Sequence, residues 1–106
     1  MFVINGIAWD LRFVEPHSDM LRRSDGSITL AVTDENYRAI FMNNRLKGDM
    51  FERVLCHELT HAVCMSWGIS IPIETEEWLC NFMADHGKEV IYLLDDLLLA
   101  FHRKVA

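Results

Sequence analysis

The sequence predicts an α+β fold, a small, mostly antiparallel sheet of three to four strands packed with two helices, in a single domain over residues 1–106. Three observations predict it. In the first half apolar residues alternate and turn signals stand close together. From Asp49 onward apolar residues recur at three- and four-residue steps instead. The 106 residues, 51% apolar and 25% charged, suit one buried core and show no repeat, low-complexity tract or linker.

The elements follow in order. "IAWDLRFV" alternates, with Trp9, Leu11 and Phe13 on one side and Asp10, Arg12 and Val14 on the other; a hairpin around Asn5-Gly6 leads into it and Glu15-Pro16 ends it. "PHSDMLRRSDGS" is a loop that turns at Asp25-Gly26. "SITLAVT" and "YRAIFMN" are the second and third strands, joined by a turn at Asp34-Glu35-Asn36 and arranged as an antiparallel meander. Asp49 and Glu52 read as a capping box for a helix that runs through Cys64 to Trp67 and stops at Gly68. "ISIPIE" is a connector, since Pro72 disfavours helix at Ile71. Thr75 caps a long second helix, along which Leu79, Met83, Val90, Leu94, Leu97 and Phe101 form a stripe. Gly87 lies on the same face, as a point of close packing or a break. The stripe is wide for so small a domain, which leaves two expectations, burial of this helix within the monomer or a homodimer seam along it.

Charge and composition exclude several classes. A net charge of −6 lacks the basic face of a nucleic-acid binder, and Arg22-Arg23 and Arg103-Lys104 read as solvated surface. "MFVINGIAWDLRF" has no signal-peptide pattern, and "VIYLL" and "LLLAF", split by Asp95-Asp96, are too short to cross a bilayer. Neither a membrane nor nucleic acid is therefore expected as a partner. An odd set of cysteines, Cys56, Cys64 and Cys80, in apolar surroundings reads as reduced thiols in a cytoplasmic protein.

The chemistry lies in "VLCHELTHAVC", residues 54–64. Residues four apart share a helix face, so His57 and His61 can aim ring nitrogens at one ion. Glu58 lies about 100° further round, within reach of a water on the metal but outside its ligand shell. This H-E-x-x-H pattern suits Zn2+, which lowers the pKa of a coordinated water to roughly 7 while the glutamate acts as general base. A third ligand is needed, and the residues leave two candidates. Glu76 falls at the centre of the apolar stripe, where a carboxylate needs a strong partner; Glu77 opens a second stripe with Cys80, Asn81 and Ala84. Cys64, three residues after His61, is a candidate fourth ligand that would close the site. His17 and His86 are candidate oxyanion stabilisers, and Trp67 and Trp78 are expected in the core or at its rim.

The order of "RAIFMNN", "FERVLCHELTHAVC" and "TEEWLCNFMA" resembles the ImmA/IrrE-like metallopeptidases of the gluzincin group, including minigluzincins and small phage- or prophage-encoded members. The resemblance covers Arg38 to Ala84, less than half the chain. "HELTH" matches fully; Glu77, Asn81 and Ala84 match a pattern like E-x-x-A-N-x-F-A, while Cys80 and Met83 depart from it. It implies a zincin-like core, zinc held by His57, His61 and Glu77, Glu58 as general base, and Asn81 orienting a ligand histidine. It also implies hydrolysis of peptide bonds in a protein or peptide substrate. The third strand is expected at the sheet edge, where an extended substrate could pair with it. Gluzincins often carry an aspartate where Asn81 stands, and no counterpart of their distal His or Tyr can be assigned. The alternative is a catalytically weak or inactive, zinc-stabilised binding module of phage origin on the same scaffold.

Overall fold

The computed structural model describes residues 1–105. In chain order these form β1 (Phe2–Ile4), β2 (Ile7–Val14), a 3-10 turn (Asp19–Leu21), β3 (Ala31–Asp34), β4 (Ala39–Asn43), α1 (Gly48–Ser66) and α2 (Ile73–Val105). The architecture is α+β, a four-stranded sheet and two helices.

The sheet is mixed, in the order β1-β2-β4-β3, and not the expected meander. β1 pairs antiparallel with β2, and β3 with β4, but β2 and β4 run parallel, from Asp10 opposite Ala39 to Val14 opposite Asn43. The strand from "YRAIFMN" is thus central, and the edge beside it is β3. The reason lies in burial. Ala39 to Met42 are all buried, Ile40 and Met42 in the core beneath α1 and Ala39 and Phe41 against Leu21 on the opposite face. A strand apolar on both faces belongs inside a sheet. Asp34, whose carboxylate accepts from the Tyr37 amide, and Arg38 at φ 49 turn the chain tightly from β3 into β4. Residues 27–30, expected as strand, are irregular, with one bridge from Arg22 to Ile28.

Both helix starts differ from the sequence reading. Lys47 stands at the N-cap of α1 and makes no side-chain cap bond, so Asp49 and Glu52 form no capping box; Asp49 lies in the first turn, where a negative charge suits the helix dipole. Thr75 lies inside α2, which opens directly after Pro72, whose carbonyl accepts from the Thr75 and Glu76 amides. The stop of α1 is as expected. Ile69 N–H donates to Cys64 O and Gly68 N–H to Met65 O, the paired bonds of a Schellman motif, which needs the positive φ of 63° that Gly68 adopts. Ser66 ties this end to the sheet, accepting from the Trp9 indole at 2.8 Å and, through its carbonyl, from Asn5 at 3.0 Å.

α2 returns antiparallel along α1, held by Arg53–Asp85 at 2.5 Å, Lys88–Glu52 at 2.9 Å and the Cys56 thiol on the Met83 carbonyl at 3.3 Å. Gly87 is buried on this interface without breaking the helix, 3.9 Å from the Cys56 sulfur when a Cβ is placed on it. Trp9 is in the core, whereas Trp67 and Trp78 are exposed. No helix of the described residues is long and apolar enough to cross a membrane.

Candidate metal centre

The antiparallel packing of α1 and α2 brings the first turns of α2 level with the histidine pair. His57 and His61, one turn apart on α1, have ring centroids 5.0 Å apart. The Glu77 carboxylate lies between their Nε2 atoms, Oε2 at 3.2 Å from His57 and Oε1 at 2.9 Å from His61. The other ring nitrogens are each held from α2. His57 Nδ1 meets Asn81 Oδ1 at 3.0 Å, and His61 Nδ1 meets Glu76 Oε2 at 2.6 Å.

Glu76 and Glu77 thus occupy different places around the same pair. Neighbouring helix positions project about 100° apart, so one carboxylate faces the Nε2 side and the other the Nδ1 of His61. Glu76 does have the partner its apolar surroundings require, and that partner is the imidazole.

The electrostatics of the arrangement suit a cation. A carboxylate and an amide oxygen only accept, so the Nδ1 atoms carry the protons and the Nε2 atoms present lone pairs toward Glu77. Three acceptors then face one another, a contact that a cation among them would relieve. A second set of donors includes Cys80 and not Glu77. The Cys80 thiol sulfur and one nitrogen from each of His57 and His61 fall within 4.8 Å of one another, and this group could hold a metal ion. Cys80 is fully buried, and its thiol is pushed up to about 12, first by burial and then by Glu77 and Glu76. Cys64, the sequence candidate for closing the site, is buried nearby, its thiol raised by burial and by Glu76; it is not in that group.

Glu58 is fixed from the sheet. Thr33, on the edge strand β3, places its hydroxyl 2.5 Å from Glu58 Oε2 and 3.0 Å from the Glu58 carbonyl. His57, Glu58 and Asn81 line an open groove of about 540 Å³, walled by Leu30 and Ala31 at the start of β3, by Met50 on α1 and by Ala84 on α2, with Arg23 at its rim. His17 and His86 are not among its lining residues; His86 packs on Phe82 and lies 3.4 Å from Glu89.

Three participants escaped the sequence reading. Thr33 is 25 residues from Glu58 and carries no local signal. Glu76 was legible as a buried acid in need of a partner, but not as the partner of a histidine. Cys80 was read as a reduced thiol on the Glu77 stripe and not as a donor, since small buried cysteines usually belong to the core. Comparisons with protein-family models, with curated proteins and with solved structures return no match.

Proposed function

We propose that this chain is a zinc-dependent peptidase of the HExxH, gluzincin-like kind, with zinc held by His57, His61 and Glu77. One observation carries the reading. The Glu77 carboxylate reaches Nε2 of both histidines while Asn81 and Glu76 hold both Nδ1 atoms, so three donors converge with their orientations fixed. Zinc, when bound, supplies the Lewis acidity that makes a water nucleophilic near neutral pH and polarises a carbonyl.

The remaining chemistry belongs to the chain's own groups. Glu58 accepts a proton from the attacking water and delivers it to the departing amine. Thr33 holds the Glu58 carboxylate in one rotamer, which keeps that proton transfer short. The free edge of β3 lies beside the groove and offers unpaired backbone groups to an extended peptide, in place of the strand first expected there. The three cysteines are free, which fits work in a reducing compartment such as the cytoplasm.

The test is Glu58→Gln, assayed on a peptide library with zinc quantified in protein purified without a histidine tag. Zinc should stay stoichiometric while hydrolysis falls about 10²–10⁴-fold. Cleavage equal to that of the parent would remove the mechanism.

One observation favours a second reading. Cys80 and the two histidines form a donor group of their own, without Glu77, and a thiolate ligand there would close the site, which then serves folding or binding in place of catalysis. Cobalt-substituted protein distinguishes the two, because a thiolate ligand adds an intense sulfur-to-metal charge-transfer band that nitrogen and oxygen ligands do not.

A further inference from the structure

α2 is longer than the body it packs on. Its last polar link to α1 is Lys88–Glu52, and Glu89 to Val105 continue beyond it for 17 residues, about 25 Å at the helical rise. That extension gives the molecule its 56 Å axis against 31 and 27 Å in the other directions. It is also strongly apolar. Val90 to Leu94, Leu97 to Leu99 and Phe101 are each between 46% and 67% exposed. Together these side chains leave roughly 800–1,000 Å² uncovered, more than the ~300–600 Å² of the largest patch on an ordinary monomer and near the ~800 Å² each partner gives to a standard interface.

The pattern specifies the occupant. Met83, Gly87, Val90, Leu94, Leu97 and Phe101 follow alternate four- and three-residue steps, the heptad seam of helix pairing. The first part of α2 packs against α1; beyond Lys88 nothing in the described chain does the same. Most polar residues form one stripe, Lys88-Glu89, Asp95-Asp96 and His102-Arg103, at intervals of seven away from the seam, and only Lys104, in the last turn, falls on the seam line. A single helix laid on the seam would bury the apolar side and leave that stripe in water.

We infer that the free half of α2 is a self-association surface, on which the same segment of a second copy of this chain lies antiparallel. The second helix would continue the line that α1 follows beside the first half of α2. A two-fold axis near Leu99 puts Asp95 level with Arg103 of the second copy, Asp96 level with its His102 and Leu97 level with its Phe101. A parallel pair would set like charges level and drive the two bodies into each other, because paired helices lie only about 8–10 Å apart. A membrane surface fits poorly, since the middle of the polar stripe is a pair of aspartates where lipid-binding helices carry lysine and arginine. The seam lies some 20 residues, about 30 Å, along α2 from Glu77, so pairing leaves the metal centre open.

Sedimentation equilibrium on the full chain should give a dimer, and Leu97→Glu with Leu98→Glu should return it to monomer with its circular dichroism and zinc stoichiometry intact. Because both residues are exposed in the single copy, the change spares the fold. Spin labels on a Glu89→Cys variant should report a separation of about 30 Å or more for antiparallel helices, and about half that for parallel ones. A monomer at submillimolar concentration, a dimer indifferent to the Leu97/Leu98 change, a short label distance, an assembly larger than two, or monomers that instead bind phosphatidylcholine–phosphatidylglycerol vesicles would each overturn the proposal. Zinc content and peptide cleavage test the metal centre separately, so either reading can fail alone.

Discussion

At the scale of single residues, the distinction between Glu76 and Glu77 is open to direct measurement. Glu77 faces both Nε2 atoms and Glu76 only the Nδ1 of His61, so equal substitutions should have unequal effects. Glu77→Ala removes the proposed third ligand and should abolish stoichiometric zinc in a competition titration. Glu76→Gln leaves the proposed ligands in place but weakens what orients His61, at an expected cost of about 10–100-fold in affinity. Cys80→Ala separates the donor sets: affinity within a few-fold of the parent supports Glu77 as the third ligand, and loss of zinc assigns that position to Cys80. In metal-free protein the Cys80 thiol, pushed up to about 12, should stay protonated and resist iodoacetamide at pH 8. Thr33→Val tests the link from sheet to base. It removes the hydroxyl at Glu58 Oε2 and should lower kcat about 10-fold or more, with zinc content and KM unchanged. An unaltered kcat would show that the hydroxyl does nothing for catalysis.

At the scale of elements, what could be read from the sequence divides by range. α1 and its stop were legible because a helix writes its period and its C-terminal glycine locally. The histidine pair was legible for the same reason, being one turn of that helix. Strand order was not, since the parallel pairing of β2 with β4 is decided by what covers Ala39–Met42, and Leu21 reaches Phe41 only after the loop has folded over the sheet. Four consecutive apolar residues in "AIFM" were the available sign that this strand is central. The helix starts were misread because Asp49, Glu52 and Thr75 have capping side chains in positions the backbone does not use as caps. Gly87 is a testable element-scale case. Its φ is ordinary, and a Cβ there would meet the Met83 terminal methyl at 3.0 Å, the flexible end of a side chain. Gly87→Ala should therefore stabilise the protein by about 0.5–1 kcal/mol in urea denaturation, as the helix loses less backbone entropy on folding. A loss of stability would mean that Met83 cannot yield and that α2 needs the close approach to Cys56.

At the scale of the whole molecule, the question is whether the proposed metal would make the fold or sit in it. In small zinc-folded domains the ion replaces a core, and chelation unfolds the chain. Here the core is independent of the centre. Trp9, Ile40, Met42 and Ala62 are buried together with Leu11, Leu55 and Leu59 packed against them, and α1 is tied to the sheet through Trp9 and Ser66 at the end away from the α2 overhang. Among the described residues no buried side-chain nitrogen or oxygen lacks a hydrogen-bond partner, those of the centre included. Removing metal with a chelator should accordingly leave the far-ultraviolet circular dichroism at 25 °C almost unchanged. It should still lower Tm, because an ion that binds only the folded chain adds about 4 kcal/mol at a thousand times its Kd, roughly 15–30 °C for a domain near 100 residues. A chelated chain that loses its helical signal at room temperature would place the ion among the causes of the fold. A Tm that does not move with zinc concentration would show that the folded chain does not bind zinc with useful affinity, and the proposed hydrolysis would go with it.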